Sequence, residues 1–282
     1  MIKVKKAQPC GFCFGVRRAI DMAKDALKTK VKIYSLGPII HNPLVVKELS
    51  DKGIKVISDI KQARGGKILI RSHGIKPSFR EKIKKNKIGI IDATCPFVER
   101  SHRIVNRLKR DGFYIIIVGE KNHPEVAALA EAAGKEKRVV IDDRQTQGLE
   151  LKNKKVALLA QSTLTKSLFE KVALNMLKKN TSELRILDTL CADVTKRQSE
   201  AVRLCGSVDL MLVIGGKMSA NTKRLAELCR AQGVKTYHLE SEKDLKKSWL
   251  KNNTRSIGII SGSSTPSWVV DRVIDCVKKM KI

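Results

Sequence analysis

The sequence predicts an α/β protein of three small parallel-sheet domains, arranged with pseudo-threefold symmetry around a central cavity. Short apolar runs rich in Ile, Val and Leu alternate with amphipathic stretches along the chain, as in parallel sheets with crossover helices. A fixed order of cysteine and polar residues recurs at intervals of about a third of the chain. At 282 residues, the chain is long enough for one large domain or for two to three small ones.

Eight apolar runs have the length and the β-branched content of buried strands. The N-terminus, Met-Ile-Lys-Val-Lys-Lys, also leads into a strand-like segment. In an open parallel sheet, ligands gather beyond the carboxyl ends of the strands, so the residues directly after each run are the candidates for a site. In chain order the runs cover residues 32–36, 68–71, 88–91, 114–118, 156–159, 184–187, 210–214 and 256–260.

The residues after the strands repeat in one order, which is a cysteine, a polar site and a second polar site. The cysteines are Cys13, Cys95 and Cys191. This repeat predicts three domains, and no linker rich in Pro, Gly or Ser separates them. They would span residues 1–95, 96–190 and 191–282, with Cys95 at the first boundary. The six polar sites are residues 41–43, 73–74, 123–125, 161–163, 219–221 and 263–266.

The three recurring cysteines point to a metal cluster. Thiols brought to one centre could bind three corners of an iron–sulfur cube and leave the fourth iron without a protein ligand, which makes it a reaction site. Cys10 and Cys13 also form a Cys-x-x-Cys pair, the motif of thiol redox proteins. That motif alone leaves Cys95 and Cys191 unexplained. The remaining cysteines are predicted to be small core residues of amphipathic helices: Cys205, Cys229 and Cys276.

The polar sites suit an anionic ligand. Hydroxyl and amide residues stand at predicted helix starts, where free N–H groups and the helix dipole attract phosphate. Histidines can donate hydrogen bonds to phosphate oxygens. Each Ser, Thr or Asn can also be an ordinary N-cap, but six polar clusters at six strand ends favour a ligand site. The residues concerned are His41, His73, His123, Ser219, Asn221, Ser264 and Thr265.

Glu125 is the carboxylate within these six clusters, two residues after His123. An acid in a cavity can donate protons, because desolvation raises its pKa towards the working pH. The alternative is a first-turn glutamate that is favoured by the helix dipole. Asp92, three residues before Cys95, is predicted to be a turn or capping residue.

The net charge of +29 is typical of proteins that bind nucleic acid, acidic lipid or anionic substrates. Here the charge is spread along the chain, and few aromatic residues are available to stack on bases, so we expect no nucleic-acid partner. No apolar stretch reaches membrane-spanning length, and the N-terminus lacks an apolar signal region, which predicts a cytoplasmic protein. The dinucleotide Gly-x-Gly-x-x-Gly, P-loop and His-Glu-x-x-His motifs are absent from the sequence.

The ordered motifs resemble those of the 4-hydroxy-3-methylbut-2-enyl diphosphate reductases, the terminal enzymes of the methylerythritol phosphate route to isoprenoids. The resemblance extends over essentially the whole chain. It rests on Gly-Phe-Cys-Phe-Gly (11–15), His-Asn-Pro (41–43), Ser-His-Gly (72–74), Asp-Ala-Thr-Cys-Pro (92–96), His-Pro-Glu-Val (123–126), Gln-Ser-Thr-Leu (161–164), Thr-Lys-Arg-Gln (195–198), Ser-Ala-Asn-Thr-Lys-Arg-Leu (219–225) and Ser-Gly-Ser-Ser-Thr-Pro (261–266).

The resemblance implies a three-lobed fold around one [4Fe–4S] cluster in the central cavity. The ligands would be Cys13, Cys95 and Cys191, with an open fourth iron. Ala220 stands where the family can carry serine, so any contact there would be made by the backbone. The substrate diphosphate would be held by His41, His73, His123, Thr163, Ser219, Ala220, Asn221 and Ser264.

The implied reaction removes a hydroxyl from an allylic alcohol diphosphate as water and gives isopentenyl or dimethylallyl diphosphate. It consumes two electrons, which an external one-electron carrier of the ferredoxin or flavodoxin type would deliver. Glu125 would supply protons, assisted by Ser162, which replaces the family's threonine beside the substrate hydroxyl. Two other hypotheses remain at this point: a nucleic-acid-binding module with a structural cluster, and a thiol redox protein that uses Cys10 and Cys13.

Overall fold

The computed structural model describes residues 2–250 and 254–280. Within these residues, the strands form three four-stranded sheets, and every strand pairing within them is parallel. The prediction of an α/β protein with three parallel sheets is therefore confirmed. The strands are β1 (Lys3–Lys6), β2 (Lys32–Leu36), β3 (Ile54–Ile57), β4 (Gly66–Ile70), β5 (Gly89–Asp92), β6 (Tyr114–Val118), β7 (Lys137–Val140), β8 (Lys155–Ala160), β9 (Glu183–Leu187), β10 (Leu210–Ile214), β11 (Lys235–Leu239) and β12 (Ser256–Ser261).

Each helix follows a strand, and several helices begin with proline. Proline suits the first helical position because its fixed φ is already helical and its missing N–H would have no partner there. In the described residues, the α-helices are α1 (Phe14–Leu27), α2 (Pro43–Asp51), α3 (Pro77–Lys85), α4 (Pro96–Arg110), α5 (Pro124–Ala133), α6 (Lys166–Leu177), α7 (Ala192–Cys205), α8 (Ala220–Ala231) and α9 (Ser267–Lys279).

The three sheets share one strand order. Their orders are β3-β2-β4-β5, β7-β6-β8-β9 and β11-β10-β12-β1. In each sheet, the strand that precedes a cysteine (β5, β9 or β1) therefore lies at one edge, beside the strand that leads to a serine loop (β4, β8 or β12). The positional repeat in the sequence is thus a repeat of topology.

The edge strands β3, β7 and β11 are missing from the runs predicted on sequence. Strands β3 and β7 have four residues each and contain charged residues, as in β3, where Lys55 is exposed between the buried ends Ile54 and Ile57. Strand β11 has five residues and contains a lysine together with further polar side chains. Edge strands commonly carry such lysines, because exposed charges discourage pairing with another chain. The central strands were recognised because they are buried on both faces, as in β6, whose sequence is YIIIV.

The chain divides into two compact units. Unit 1 comprises Met1–Arg17, Ile40–Glu48 and Ala192–Ile282, and unit 2 comprises Arg18–Ile39 and Leu49–Cys191. Unit 1 contains the sheet of β1, β10, β11 and β12, in which the N-terminal strand pairs with the last strand. Unit 2 contains the other two sheets. The domain boundaries at 95 and 190 stay a prediction.

Apolar clusters cover the sheets. On one side of the β6–β8 sheet, Phe113, Ile115 and Ile117 pack with α4 and α5, and on the other side Ile116 and Val118 pack with residues of α6. Cys205 and Cys229 are buried in a cluster of unit 1, and Cys276 packs against another, as predicted for core residues. Among the described residues, no helix has both the length and the apolar character needed to span a bilayer.

Candidate active site

The three predicted ligand cysteines make the same backbone hydrogen bond. In each case, the cysteine N–H donates to the carbonyl of a serine two residues beyond the end of the neighbouring strand. The chain therefore holds each thiol at the carboxyl edge of its sheet by one repeated device. The N to O distances are 3.1 Å for Cys13 and Ser263, 2.9 Å for Cys95 and Ser72, and 3.0 Å for Cys191 and Ser162.

The thiol of Cys95 lies at the N-terminus of α4, where Cys95 is the N-cap residue. Burial raises the pKa of the Cys95 thiol, while backbone N–H groups of Phe97 and Val98 lower it. The turn before the thiol is fixed in two ways. Asp92 accepts hydrogen bonds from the N–H and hydroxyl of Thr94, at 3.0 and 2.6 Å, and Arg18 donates to the Thr94 carbonyl at 3.1 Å. Asp92 is therefore the turn residue that the sequence predicted.

Cys13 is arranged similarly in unit 1. It directly precedes α1, and the N–H of Val16 donates to the Cys13 sulfur at 3.4 Å. Both Cys13 and Cys95 are half-buried, and backbone N–H groups of a first helical turn point at both sulfurs. Such N–H groups stabilise thiolates and tune iron–sulfur clusters. The donor set, three half-buried thiols at strand ends, therefore fits an iron–sulfur cluster.

Glu125 and Ser162 form a buried pair in unit 2. One carboxylate oxygen of Glu125 accepts from the N–H of Ser162 at 2.8 Å, and the other accepts from its hydroxyl at 2.6 Å. Glu125 is only 1% exposed. Burial raises the pKa of the Glu125 carboxyl, and the hydrogen bonds from Ser162 oppose this rise. Because the Ser162 carbonyl also accepts from Cys191, one residue links the acid to a candidate ligand.

His123 is the N-cap residue of α5, and its Nδ1 accepts from the N–H of Glu125 at 3.3 Å. A neutral imidazole that accepts at Nδ1 carries its proton on Nε2, so His123 can donate from Nε2 to an anion. The ring of His73 lies edge-on to that of His123, with centroids 5.6 Å apart and planes at 84°. Unit 2 therefore brings these two predicted anion ligands together.

Thr163 is the third hydroxyl or imidazole residue that unit 2 contributes to the predicted diphosphate set. The Thr163 hydroxyl accepts from Nε2 of Gln161 at 2.8 Å, and the side-chain Oε1 of Gln161 accepts from the N–H of Glu120 at 2.9 Å. The fully buried Gln161 therefore fixes the loop after β8 and sets the position of Thr163.

In unit 1, His41 follows the loop after β2 and directly precedes Asn42. The Asn42 side chain accepts from the N–H groups of Leu44 and Val45, at 3.1 and 3.3 Å, and so caps α2. The hydroxyl of Ser264 donates to the His41 carbonyl at 3.3 Å. A Cβ at Gly216 would collide with the same carbonyl. Glycine therefore allows the loop after β10 to approach His41.

Ser219, Ala220 and Asn221 form the start of α8 and are all buried. Ser219 is the N-cap residue and accepts from the N–H of Thr222 at 3.3 Å. The Asn221 amide donates to the hydroxyl of Ser263 at 3.3 Å, while its Oδ1 is buried without a hydrogen-bond partner. Buried amide atoms are normally satisfied, so Asn221 has capacity for a ligand.

The prediction that Ser264 and Thr265 stand at a helix start is wrong. Helix α9 begins at Ser267, after Pro266 as the N-cap residue. Instead, Thr265 donates through its hydroxyl to the carbonyl of Ile214 at 3.0 Å, and Ser264 bonds the His41 carbonyl. Both hydroxyls tie neighbouring loops together. The proline explains the shift, because it favours an extended residue before it and readily opens a helix.

Two elements of this region were missed from the sequence. The carbonyls of Ser72 and Ser263 receive cysteine N–H groups, but any residue can supply a carbonyl, so no sequence signal marks them. Arg197 is 1% exposed, donates to Asp193 at 2.7 Å and to the Ser261 carbonyl at 3.1 Å, and fixes the end of β12. The sequence signal that could have indicated Arg197 is its place in the Thr-Lys-Arg-Gln motif of residues 195–198.

The chain is similar to known proteins over nearly its full length. A family described as "LytB protein" matches residues 4–278. A 4-hydroxy-3-methylbut-2-enyl diphosphate reductase of Geobacter sulfurreducens is 39% identical over 278 residues, covering 99% of this chain and 98% of the relative. The reductase of the same description from Aquifex aeolicus is 37% identical over 276 residues, covering 97% and 95% of the two chains.

Two solved structures also match. The E-1-hydroxy-2-methyl-but-2-enyl-4-diphosphate reductase of Plasmodium falciparum superposes with a TM-score of 0.93 at 30% identity, covering 99% of this chain and 88% of that chain. A second, (E)-4-hydroxy-3-methyl-but-2-enyl diphosphate reductase, described as the terminal enzyme of the non-mevalonate pathway, gives a TM-score of 0.71 at 35% identity, covering 99% and 100% of the two chains.

Proposed function

From the premise that this chain belongs to the LytB family, we propose that it reduces 4-hydroxy-3-methylbut-2-enyl diphosphate to isopentenyl and dimethylallyl diphosphate. This is the terminal reductive step of the non-mevalonate route to isoprenoid precursors. One substrate molecule takes up two electrons and two protons, its carbon–oxygen bond breaks, and one water leaves.

The single observation that carries the proposal is that all three cysteines make the same kind of hydrogen bond. Each donates its backbone N–H to the carbonyl of a serine that follows the neighbouring strand. Cys13, Cys95 and Cys191 would hold one [4Fe–4S] cluster, in keeping with the iron–sulfur character of the family. When bound, the cluster supplies electrons singly and a Lewis-acidic iron without a protein ligand. The chain's part is to fix three thiols at strand ends, with backbone N–H groups directed at the sulfurs of Cys13 and Cys95.

The diphosphate would be bound by imidazole, hydroxyl, amide and backbone hydrogen-bond donors. His123 would donate from Nε2, because its Nδ1 is already an acceptor. The N-terminus of α8 offers backbone N–H groups, to which Ala220 would contribute its own, and the partial positive charge of a helix start. Together these donors would orient the substrate. The full set is His41, His73, His123, Thr163, Ser219, Ala220, Asn221 and Ser264.

Glu125 would hold a proton at a carboxyl oxygen and deliver it to the substrate during the reduction. Its burial supports this role, because a raised pKa keeps a carboxyl protonated nearer neutral pH. Ser162 would hold the carboxyl in one orientation through its N–H and hydroxyl.

The electrons would come from an external one-electron carrier of the ferredoxin or flavodoxin type. We propose a cytoplasmic location, because a thiol-bound cluster needs a compartment in which cysteines stay reduced. The proposal includes no nucleic-acid partner and no membrane attachment.

Anaerobic reconstitution with iron and sulfide, followed by turnover with reduced methyl viologen, tests the proposal. We expect four irons and four sulfides per chain and the two diphosphate products by mass spectrometry. Cys13→Ser, Cys95→Ser and Cys191→Ser should each lose turnover and lower the iron content. A reconstituted protein that binds no cluster, or that leaves the substrate intact, would refute the function.

Cys10→Ser is the matched control. The Cys10 thiol donates to the Ser261 hydroxyl at 3.2 Å, and a serine hydroxyl can replace that bond. We expect nearly full turnover. Loss of all activity in this variant, with the cluster intact, would instead favour a thiol redox protein that uses Cys10 and Cys13.

A further inference from the structure

One face of α4 carries a stripe of exposed arginines. The buried residues Val98, Ser101, Val105 and Leu108 occupy the opposite face. The exposed residues are spaced by three, three, four and three positions, which places them along one side of a helix with 3.6 residues per turn. The arginine face is defined by Phe97, Arg100, Arg103, Arg107 and Arg110.

The arginine face gathers four like charges on one side of the helix. Like charges three or four residues apart repel. Arg107 has Asp111 at 3.9 Å while remaining 77% exposed. In the part of the chain that the structure describes, no carboxylate lies within ion-pair distance of Arg100 or Arg103. Arg100 and Arg103 therefore remain available to a partner, and Arg107 keeps most of its surface exposed.

The arginine face begins beside a candidate electron entry point. Phe97 is 48% exposed and stands two residues after Cys95, the N-cap residue of this helix. At 1.5 Å of rise per residue, Arg100 lies only about 8 Å along the axis from Cys95. Exposed aromatic and arginine side chains are both enriched at protein interfaces, and here Phe97 begins the stripe that the arginines continue.

The proposed reaction, on which this inference rests, needs two electrons that must come from another molecule. The sequence has no dinucleotide-binding motif through which this chain could take them from a nicotinamide or flavin. We propose that the arginine face binds a small acidic electron-transfer protein, which gives up one electron at each of two encounters per turnover. Opposite charge accelerates such encounters and orients the carrier.

The order of a cysteine, an exposed phenylalanine and an exposed arginine, found at the start of α4, recurs at the start of α1. There, Cys13 is followed by Phe14, which is 64% exposed, and by the exposed Arg17. Cysteine, exposed phenylalanine and exposed arginine thus appear in the same order at two candidate ligands. The α4 stripe is the longer of the two and is the surface tested here.

A charge-reversal variant with two electron donors tests the arginine face. We expect Arg100→Glu, Arg103→Glu and Arg107→Glu together to lower kcat/KM for reduced acidic ferredoxin by roughly tenfold or more at low salt. Turnover with methyl viologen should stay at the wild-type level, because this small donor needs no protein interface. The wild-type rate with ferredoxin should fall steeply with salt, and the variant's rate should not.

Lys152→Glu, Lys171→Glu and Lys178→Glu together form the matched control. These lysines are exposed, lie on α6 or beside β8, and give the same change in net charge. The control should keep its ferredoxin kinetics. Arg100→Gln, Arg103→Gln and Arg107→Gln form a milder variant that still tests the surface if charge reversal prevents folding.

The outcomes separate this inference from the proposed function. Equal ferredoxin kinetics in the wild-type and arginine variants would overturn the docking surface while leaving the reductase intact. Failure of the wild type with methyl viologen would overturn the function itself. Loss of duplex DNA binding at about 0.15 M salt, with ferredoxin kinetics unchanged, would assign the face to nucleic acid and overturn the proposal.

Discussion

The loops that follow β8 and β12 perform the same backbone task with different side-chain chemistry. In both, a serine carbonyl accepts the N–H of a cysteine. In the β8 loop, the Ser162 hydroxyl donates to the buried carboxylate of Glu125. In the β12 loop, the Ser263 hydroxyl accepts from the amide of Asn221. The repeated topology thus conserves how a thiol is held, while the side chains around it have diverged.

Under the proposed function, this difference gives the β8 loop a part in proton delivery and the β12 loop a part in anion binding. Segments 215–222 and 261–266 of unit 1 contain no Asp or Glu, so nothing on them repels a diphosphate. Unit 2 does place a carboxyl group against its β8 loop, that of Glu125 in the first turn of α5, but burial raises the pKa of Glu125. A protonated carboxyl is neutral, and it can therefore serve a site that binds an anion.

Removing the acid should have the largest effect on turnover. Glu125→Gln keeps the size of the side chain and loses the transferable proton. We expect turnover with methyl viologen to fall about 10²–10⁴-fold, the usual contribution of general acid catalysis. Cluster absorbance and substrate affinity should be retained, because the glutamine Oε1 can still accept one hydrogen bond from Ser162 and its Nε2 can donate to the Ser162 hydroxyl. Single-turnover product formation under anaerobic conditions measures the effect.

Glu131→Gln is the control on the same helix. Glu131 accepts from the N–H of Ser78 at 2.7 Å and has no role in the proposed site. Turnover should stay within about twofold of wild type, since surface substitutions of this kind have small effects. Normal turnover in Glu125→Gln would remove the proton-donor role and, with it, the chemical contrast between the two loops.

The repeat of the cysteines was predictable because each stands where an apolar strand ends and a helix begins. Glu125 was predictable as a candidate from its position near His123. The pairing of Glu125 with Ser162 required tertiary structure, because 37 residues separate them, and only the family resemblance suggested it. The carbonyls of Ser72 and Ser263 were not predictable, since backbone acceptors do not depend on residue type.

Removal of the Ser162 hydroxyl should have the next largest effect on turnover. Ser162→Ala removes the 2.6 Å bond to Glu125 and leaves a buried carboxyl oxygen without that donor, a loss of about 1–3 kcal/mol. We expect turnover to fall about 10- to 100-fold, while Ser162→Thr, which keeps the hydroxyl, should retain most activity. If both variants are equally impaired, the loop geometry matters and the hydroxyl does not.

In unit 1, Asn221→Ala should weaken substrate binding. The variant loses a buried amide that bonds the Ser263 hydroxyl and has capacity for a ligand. We expect KM to rise about tenfold, as for one lost hydrogen bond to a charged group, with a much smaller change in kcat. Asn175→Ala, on α6, is the control and should leave KM unchanged. A fall in kcat at constant KM would place Asn221 in the chemical step and blur the division between the units.

The smallest expected effect of Glu125→Gln is on the free energy of unfolding. Its pH dependence is the most direct test of whether burial raises the pKa of Glu125. Because the folded protein raises the pKa of Glu125, it keeps a proton that the unfolded chain releases once pH exceeds the usual carboxyl pKa of about 4.3. Wild-type unfolding free energy should therefore lose a contribution as pH rises through this window, and level off above the folded pKa.

Glu125→Gln has no such proton, so its stability relative to wild type should increase as pH rises from the usual carboxyl range and then become constant. Urea unfolding of the cluster-free proteins across this pH range measures the difference. Glu131→Gln again provides the baseline, because it makes the same change of side chain on the same helix and outside the proposed site. A constant difference between Glu125→Gln and wild type at all pH values would mean that folding does not raise the pKa of this carboxyl. Glu125 would then be ionised near neutral pH, and unit 2 would carry a negative charge of the kind that segments 215–222 and 261–266 of unit 1 lack.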